Sequence, residues 1–263
     1  MKIIDAHAHI FPTKIAVKAS ESIGDFYGIP MNSDASCETL NIEEEKLGSS
    51  HVLVCSSALS PKQVTSINDF IYSKMQENPK YVGFAAMHRD MEDFKPEIKR
   101  IKEMGMKGVK FHHDMQQIDI DDPKQYPIYE EMEKEGLALL LHMGDNRYDY
   151  SAPEKMVKVA KDFPKMTVIG AHFGGYRRWT DSYNNPKLDN VYYDTSSSLF
   201  MIDNKTAERF IDHFGPERFF FGSDFPMWSP KKEFERFMQL NLSDDVRRMI
   251  LYDNFARVFD IKD

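Results

Sequence analysis

The sequence contains very little cysteine, with only Cys37 and Cys55 among its 263 residues. Two thiols are too few for the disulfide framework of a small secreted domain or for a cysteine-ligated metal cluster. No apolar stretch approaches the roughly 20 residues that span a bilayer. The first residues also lack the basic and apolar segments of a secretory signal. We therefore expect a cytoplasmic protein with no membrane partner.

Positive charge is not in excess either. The chain has 34 Lys and Arg against 42 Asp and Glu, a formal net charge of −8, which argues against a nucleic-acid partner. Its length and 41% hydrophobic content suffice for one large domain with a full core. We expect a single domain over residues 1–263 that acts on a small molecule. The sequence leaves homo-oligomer formation open.

Eight short runs with strand character alternate with helical patterns along the chain. They lie at residues 2–10, 49–57, 81–87, 106–112, 138–144, 166–173, 191–198 and 219–226. Strict alternation predicts an α/β fold with one parallel sheet, and eight units is the number that closes a (β/α)8 or TIM barrel. An open doubly wound sheet typically has fewer strands and a G-x-G-x-x-G after the first one, which is missing here.

The connection after the first strand is unusually long and covers residues 11–48. We predict one helix after Phe11-Pro12 and another near 36–47. Because this segment follows the carboxyl end of a barrel strand, where barrel active sites lie, it is typical of a lid or substrate wall. The alternative is a surface insertion without a role.

Two histidines stand one residue apart in the opening run, "KIIDAHAHI". Side chains alternate between the two faces of a strand, so His7 and His9 should share a face, and Asp5 with them. Such a pair of imidazoles is able to hold one metal ion. A solvated edge strand, or hydrogen-bonded core histidines, would also explain the pattern.

Further polar residues end the later strands of the predicted barrel. They are Lys110 and His112 on strand four, His142 on strand five, His172 on strand six, Asp194 on strand seven and Asp224 on strand eight. The carboxyl ends of barrel strands form the catalytic face, and buried imidazoles and carboxylates are costly unless they are paired or bind metal. Three imidazoles and one carboxylate suit Zn²⁺ or a similar divalent ion.

Five motifs carry a resemblance to a known family: "DAHAHIF", "KGVKFH", "LLLHMGD", "VIGAHFGG" and "FGSDFPMW", in that order. The sequence resembles the amidohydrolase superfamily over nearly its whole length, in the amidohydrolase-related (amidohydrolase 2) branch that looks like aminocarboxymuconate semialdehyde decarboxylase. The resemblance implies that the metal ligands are His7, His9, His142 and Asp224, and that His172 assists chemistry near the metal.

The resemblance also bears on the number of metal ions. Other branches of the superfamily use a carboxylated lysine on strand four to bridge two metals. Lys110 lies on strand four, two residues inside His112. The branch that this chain resembles is typically mononuclear, so we expect one divalent ion, zinc.

The implied activity is hydrolysis of an amide, ester or lactone by a metal-activated water. Asp224 would bind the metal and accept the proton of the water, and His172 would polarise the substrate or donate a proton. The same parts serve a second reaction, non-oxidative decarboxylation by a carbon-carbon lyase of this branch. A non-catalytic metal-binding barrel is a third possibility, against which the additional His172 argues.

Loops near the predicted catalytic face offer contacts for a substrate. Arg147 and Arg177 follow strands five and six, and arginine recognises carboxylates with a planar fork. We expect a small carboxylated substrate, contacted by these two arginines and by His112, Tyr27 and Trp228. Surface salt bridges and rim packing would account for the same residues individually.

Overall fold

The computed structural model describes residues 1–262, and those residues form eight strands and twelve α helices. The strands are β1 Ile4–His9, β2 His51–Cys55, β3 Tyr81–Ala86, β4 Gly108–Phe111, β5 Ala138–Leu141, β6 Val168–Gly170, β7 Val191–Asp194 and β8 Phe219–Phe220. The helices are α1 Thr13–Tyr27, α2 Cys37–Leu47, α3 Val64–Glu77, α4 Phe94–Glu103, α5 His113–Gln116, α6 Tyr126–Lys134, α7 Pro153–Asp162, α8 Trp179–Tyr183, α9 Asn204–Phe214, α10 Pro230–Phe237, α11 Asp244–Arg248 and α12 Asn254–Phe259. Each strand lies within one of the eight predicted runs.

The strands form one eight-stranded sheet in the order of the sequence, β1 to β8. The chain after β8 also pairs with β1, because the amide of His9 donates to the carbonyl of Phe225 at 2.7 Å and Ala8 bridges Phe225 in parallel. Eight parallel strands alternating with helices confirm the (β/α)8 prediction. None of the helices within residues 1–262 combines the length and the apolar character that crossing a membrane requires.

The chain divides into two compact units. The first unit consists of Met1–Cys55 and the chain from Asp194 onward, and the second unit consists of Ser56–Tyr193. The first unit therefore holds β1, β2 and β8 with α1, α2 and the last four helices. The second unit holds β3 to β6, most of β7, and α3 to α8. The single domain over residues 1–263 stays a prediction.

The long connection after β1 contains the two predicted helices. The first, α1, starts directly after Pro12 and ends at Gly28, whose φ of 65° suits glycine. Helix α2 is capped by Ser36, whose side chain accepts from the amide of Thr39, and it packs against α10 of the same unit. The role of this segment as a lid stays a prediction.

Strand β1 contains an irregularity that the alternating pattern did not reveal. Its register with β2 shifts between Asp5 and Ala8, which is the signature of a β-bulge. The prediction that Asp5 shares a face with His7 and His9 is wrong for this reason. Its carboxylate accepts the backbone amides of His7 and Ser223, at 3.0 and 2.9 Å.

Asp5 instead belongs to a group of buried carboxyls in the first unit, with Glu44 of α2 and Glu233 of α10. All three residues are at most 5% exposed. Burial raises the pKa of Asp5 to about 6 and that of Glu233 to about 7. Burial, and then the charge of Asp5, raise the pKa of Glu44 well above its usual value. We call these three residues the acid cluster.

Replacing Glu233 with Gln should stabilise the protein in a pH-dependent way. The pKa of Glu233 is about 7 in the folded state and 4.5 by the reference value, so the unfolded state loses this proton first and stability falls as pH rises from 4.5 to 7. Glu233→Gln abolishes that loss and keeps an acceptor oxygen for Arg236. We expect no gain at pH 4 and a gain of up to about 3 kcal/mol at pH 8.

Urea unfolding of both proteins at pH 4 and pH 8, in the presence of a chelator, measures this difference. Glu235→Gln serves as the control, because Glu235 lies exposed on the same helix. A gain of equal size at both pH values, or no gain at pH 8, would contradict the assignment of a raised pKa to Glu233.

Candidate active site

Three predicted metal ligands converge in the first unit. Nε2 of His7 lies 3.1 Å from Nε2 of His9. Oδ1 of Asp224 lies 3.6 Å from the first of these nitrogens and 3.3 Å from the second. His7 is fully buried, and Asp224 is only 8% exposed. The prediction that His7 and His9 point the same way is confirmed, and Asp224 joins them from the segment after β8.

The spacing of these three atoms fits the inner shell of a divalent ion. Zinc bonds to nitrogen and oxygen measure about 2.0–2.2 Å, so neighbouring ligand atoms of a tetrahedral site lie about 3.3–3.6 Å apart. The measured separations run from 3.1 to 3.6 Å. Two imidazoles and a carboxylate are also a donor set typical of zinc and related ions. The residues present therefore fit one divalent ion.

His7 is oriented from behind by a second carboxylate. Its Nδ1 lies 2.8 Å from Oδ2 of Asp194, and both residues are fully buried. The other oxygen of Asp194 accepts the backbone amide and the hydroxyl of Ser196 at 3.0 and 2.5 Å. Since a carboxylate accepts, Nδ1 of His7 is the donor and its Nε2 presents a lone pair. The sequence placed Asp194 on strand seven but did not assign it this role.

His9 has a weaker partner behind it. Its Nδ1 lies 3.7 Å from Sγ of Cys55, which ends β2 and is fully buried. Burial by itself lowers the pKa of His9, but charge interaction with Cys55 and hydrogen bonding to Asp224 raise it to about 9. Coordination of a metal ion by Nε2 of His9 requires the imidazole to be unprotonated there. The sequence gave no sign that Cys55 lies beside a ligand.

The second unit gathers the remaining predicted histidines. Nδ1 of His142 and Nε2 of His172 are 3.1 Å apart. The ring of His112 stacks on the ring of His142, with centroids 4.1 Å apart and an interplanar angle of 8°. His142 and His172 are 4% and 2% exposed.

Asp114 is a buried residue of this cluster that the sequence did not single out. It lies in α5 directly after β4, and its Oδ2 is 3.6 Å from Nε2 of His142. The hydroxyl of Ser151 donates to the same oxygen at 2.5 Å. Burial raises the pKa of Asp114 to about 6. Its position after a strand end, the signal used for the histidines, would have identified it.

The two predicted arginines have different surroundings in the second unit. The fork of Arg147 is engaged by Asp145, with Nε and Nη2 at 2.9 and 2.7 Å from its two carboxylate oxygens. The guanidinium of Arg177 instead lies over the ring of Tyr176, 5.4 Å from its centroid. Within residues 1–262, no carboxylate forms an ion pair with Arg177. Arg177 is therefore the better placed of the two to bind a carboxylate ligand.

The predicted aromatic residues Tyr27 and Trp228 both lie in the first unit. Tyr27 ends α1 and packs edge to face against Phe26 at 4.9 Å. The indole Nε1 of Trp228 donates to the hydroxyl of Ser197 at 2.9 Å. These contacts neither require nor preclude a substrate, so both substrate roles stay predictions.

The structure therefore brings the predicted site residues together in two groups. His7, His9 and Asp224 meet in the first unit. His142, His172 and His112 meet in the second unit. The set of four ligands that combines the first group with His142 stays a prediction.

Comparison with known proteins decides the family. A sequence profile described as amidohydrolase matches residues 4–261, almost the entire chain. The chain belongs to the amidohydrolase family. It is an enzyme of the superfamily that its motifs resemble.

One curated relative of this amidohydrolase is a decarboxylase. This relative is 2-amino-3-carboxymuconate-6-semialdehyde decarboxylase of Dictyostelium discoideum, 34% identical over 79 residues. That match covers 29% of this chain and 22% of the relative.

Two solved structures share the fold over nearly their full lengths. One is a dihydroxybenzoic acid decarboxylase from Polaromonas sp. JS666 with bound manganese and an inhibitor, 2-nitroresorcinol. It has a TM-score of 0.73 and 15% identity, over 98% of this chain and 97% of that one. The other is a protein from Pseudomonas putida assigned as a 2-pyrone-4,6-dicarboxylic acid hydrolase. It has a TM-score of 0.75 and 19% identity, over 98% and 97% of the two chains.

Replacing Asp194 with Asn should weaken metal binding by this amidohydrolase. An amide does not hold the Nδ1 proton of His7 as a carboxylate does, so the ring loses its fixed orientation. Changes behind a ligating histidine typically cost about 10–100-fold in metal affinity. Competition with a chromophoric chelator measures the loss.

Asp212→Asn is the matched control, since Asp212 is exposed on α9 of the same unit. It should bind metal like the unaltered protein. Equal affinity of the Asp194 and Asp212 variants would remove Asp194 from the support of His7.

Proposed function

We propose that this protein is a metal-dependent decarboxylase that removes carbon dioxide from a small carboxylated substrate without an oxidant. The observation that carries the proposal is the convergence of His7, His9 and Asp224 on one point at spacings that suit a divalent ion. Hydrolysis of a small carboxylated ester, lactone or amide is the second candidate, and the same groups serve it.

The relatives support this order of the two reactions. The curated relative and the manganese-containing structure are both named as decarboxylases. The hydrolase assigned in Pseudomonas putida, named for a pyrone dicarboxylic acid, favours the second candidate. All three names refer to carboxylated compounds, which supports a carboxylated substrate for this chain as well.

The metal ligands in this proposal are His7, His9, Asp224 and, from the sequence, His142. Zinc is the proposed ion, because a set of imidazoles and one carboxylate suits it. When bound, a divalent ion supplies Lewis-acid polarisation of a substrate oxygen or of a water molecule. Asp224, with Oδ1 beside both imidazoles, is the proposed proton acceptor when the substrate is hydrolysed.

His172 is the proposed proton donor. In decarboxylation the bond between the carboxylate carbon and its neighbour breaks, carbon dioxide leaves, and the neighbouring carbon takes up one proton. An imidazole is suited to hold and release that proton near neutral pH. The 3.1 Å contact between His172 and His142 also supports a second role, in which His172 only orients a ligand.

Arg177 is the proposed anchor of a substrate carboxylate. Its guanidinium stacks on Tyr176, whose ring lies 5.8 Å from the ring of His172. Tyr176 thus neighbours both the proposed anchor and the proposed proton donor. Arg147 contributes less in this proposal, because Asp145 occupies its fork.

The reaction is testable with a panel of decarboxylatable and hydrolysable acids. The protein is stripped of metal and reloaded with zinc or manganese, and about one equivalent per chain should bind. Released carbon dioxide and newly formed acid groups are then measured separately. We expect turnover with carbon dioxide release on dihydroxybenzoate-like or unsaturated acids, and loss of it after chelation.

The companion variant is His142→Ala, with His213→Ala as its control on α9. The first should lose metal and turnover together, and the second should keep both. Turnover on pyrone or lactone acids alone would establish hydrolysis in place of decarboxylation. A protein that binds no metal after reloading would refute both reactions as proposed.

Replacing His172 with Asn separates its two proposed roles. If His172 transfers a proton, the variant should keep its metal while turnover falls by about 10²–10⁴-fold, the usual cost of losing a general acid or base. If it only orients His142, metal affinity and turnover should fall together by roughly 10–100-fold. Metal content and initial rates of both proteins give the answer. Full metal with full activity would exclude His172 from the mechanism.

A further inference from the structure

We infer that Ser197 is a positioning residue that fixes the orientation of Asp224 and thereby the metal-binding geometry of the first unit. This inference rests on the proposed function, in which Asp224 binds the ion. Ser197 lies three residues past Asp194, in the segment after β7, and is 1% exposed. The sequence analysis assigned no role to Ser197.

The contact between the two side chains is direct. The hydroxyl of Ser197 donates to Oδ2 of Asp224 in a very short hydrogen bond. Oδ1, the other oxygen of the same carboxylate, is the one that lies 3.3 Å from Nε2 of His9. Ser197 therefore holds one oxygen of the carboxylate while the other, Oδ1, lies beside the imidazoles.

The direction of this hydrogen bond follows from Trp228. Its indole Nε1 lies 2.9 Å from Oγ of Ser197, and an indole nitrogen only donates. Oγ of Ser197 is thus the acceptor there, and its own hydrogen must go elsewhere. The available acceptors are Oδ2 of Asp224 and Sδ of Met227 at 3.6 Å. A carboxylate is much the stronger acceptor, so the chain of bonds runs from Trp228 through Ser197 to Asp224.

The indole that starts this chain is itself held in place. Phe200 packs against the ring of Trp228 with centroids 4.4 Å apart, and the guanidinium of Arg236 lies 5.2 Å from that ring. The predicted contact of Trp228 with substrate stays a prediction, and its indole nitrogen donates to Ser197.

The backbone at both ends of the contact points to the same conclusion. Ser197 has a φ of 45° and Asp224 a φ of 61°. Non-glycine residues rarely occupy this left-handed region, and they persist there only where the surrounding structure determines their conformation. Two such residues, 27 positions apart in the chain, face each other through their side chains. The conformation at each end aims a side chain at the other.

The test is metal affinity of the full chain, measured with zinc by chelator competition. Ser197→Ala should bind zinc about 10–100-fold more weakly, as expected for the loss of a group that orients a ligand. Ser198→Ala is the matched control, because Ser198 is equally buried and its hydroxyl donates to the carbonyl of Ser196 instead. It should bind zinc as the unaltered protein does.

Two further variants separate the hydroxyl from the backbone. Ser197→Gly accommodates a φ of 45° without strain but lacks the hydroxyl. If the hydroxyl matters, this variant should bind zinc as weakly as Ser197→Ala. Trp228→Phe should weaken binding in the unaltered background and have no further effect beside Ser197→Ala, since both act through one chain of bonds.

Spectroscopy supplies a readout that a merely structural residue would not change. The visible absorption of the cobalt-loaded protein reports ligand geometry, and its bands should shift in Ser197→Ala and remain in Ser198→Ala. Zinc affinity of Ser197→Gly equal to that of the unaltered protein, with an unchanged cobalt spectrum, would overturn the inference. If the unaltered protein binds neither metal, the proposed function fails first, and this inference fails with it.

Discussion

The site in the first unit depends on three electron-pair donors, two imidazoles and one carboxylate, that converge on one point. Two imidazole nitrogens lie 3.1 Å apart, and a carboxylate oxygen lies beside both. Each donor is fixed from behind by another group, Asp194 for His7, Cys55 for His9 and Ser197 for Asp224. The contacts that support the three donors therefore orient them toward one point.

The (β/α)8 fold supplies this arrangement through strand ends. Adjacent β1 and β8 place His9 and Asp224 within reach, because the segment after β8 pairs with β1 through the amide of His9. In the second unit, the ends of β4, β5 and β6 place His112, His142 and His172 in contact. The proposed chemistry therefore lies at the carboxyl ends of the strands and in the residues directly after them.

Much of the fold followed from patterns that the sequence displays openly. Eight apolar runs with helices between them fixed the fold class, and alternation correctly put His7 and His9 on one face. Alternation failed at Asp5 because an extra residue in a strand leaves no mark in composition. Ser197 and Cys55 were missed for another reason. Their roles depend on side chains that are distant in the chain, and no local pattern encodes such contacts. Arg147 looked like Arg177 in the sequence, and only the position of Asp145 distinguishes them.

Because of the bulge, the short strand β1 contributes side chains both to the acid cluster and to the proposed metal site. Asp5, before the irregularity, lies in the acid cluster, whereas His7 within it and His9 after it bring two imidazoles to the proposed metal site. Deleting a single residue between Asp5 and Ala8 would restore an even alternation. Either Asp5 would then leave the acid cluster, or His7 and His9 would no longer lie beside Asp224. The length of this segment is therefore constrained more tightly than its composition, and insertions or deletions there should be tolerated less well than substitutions.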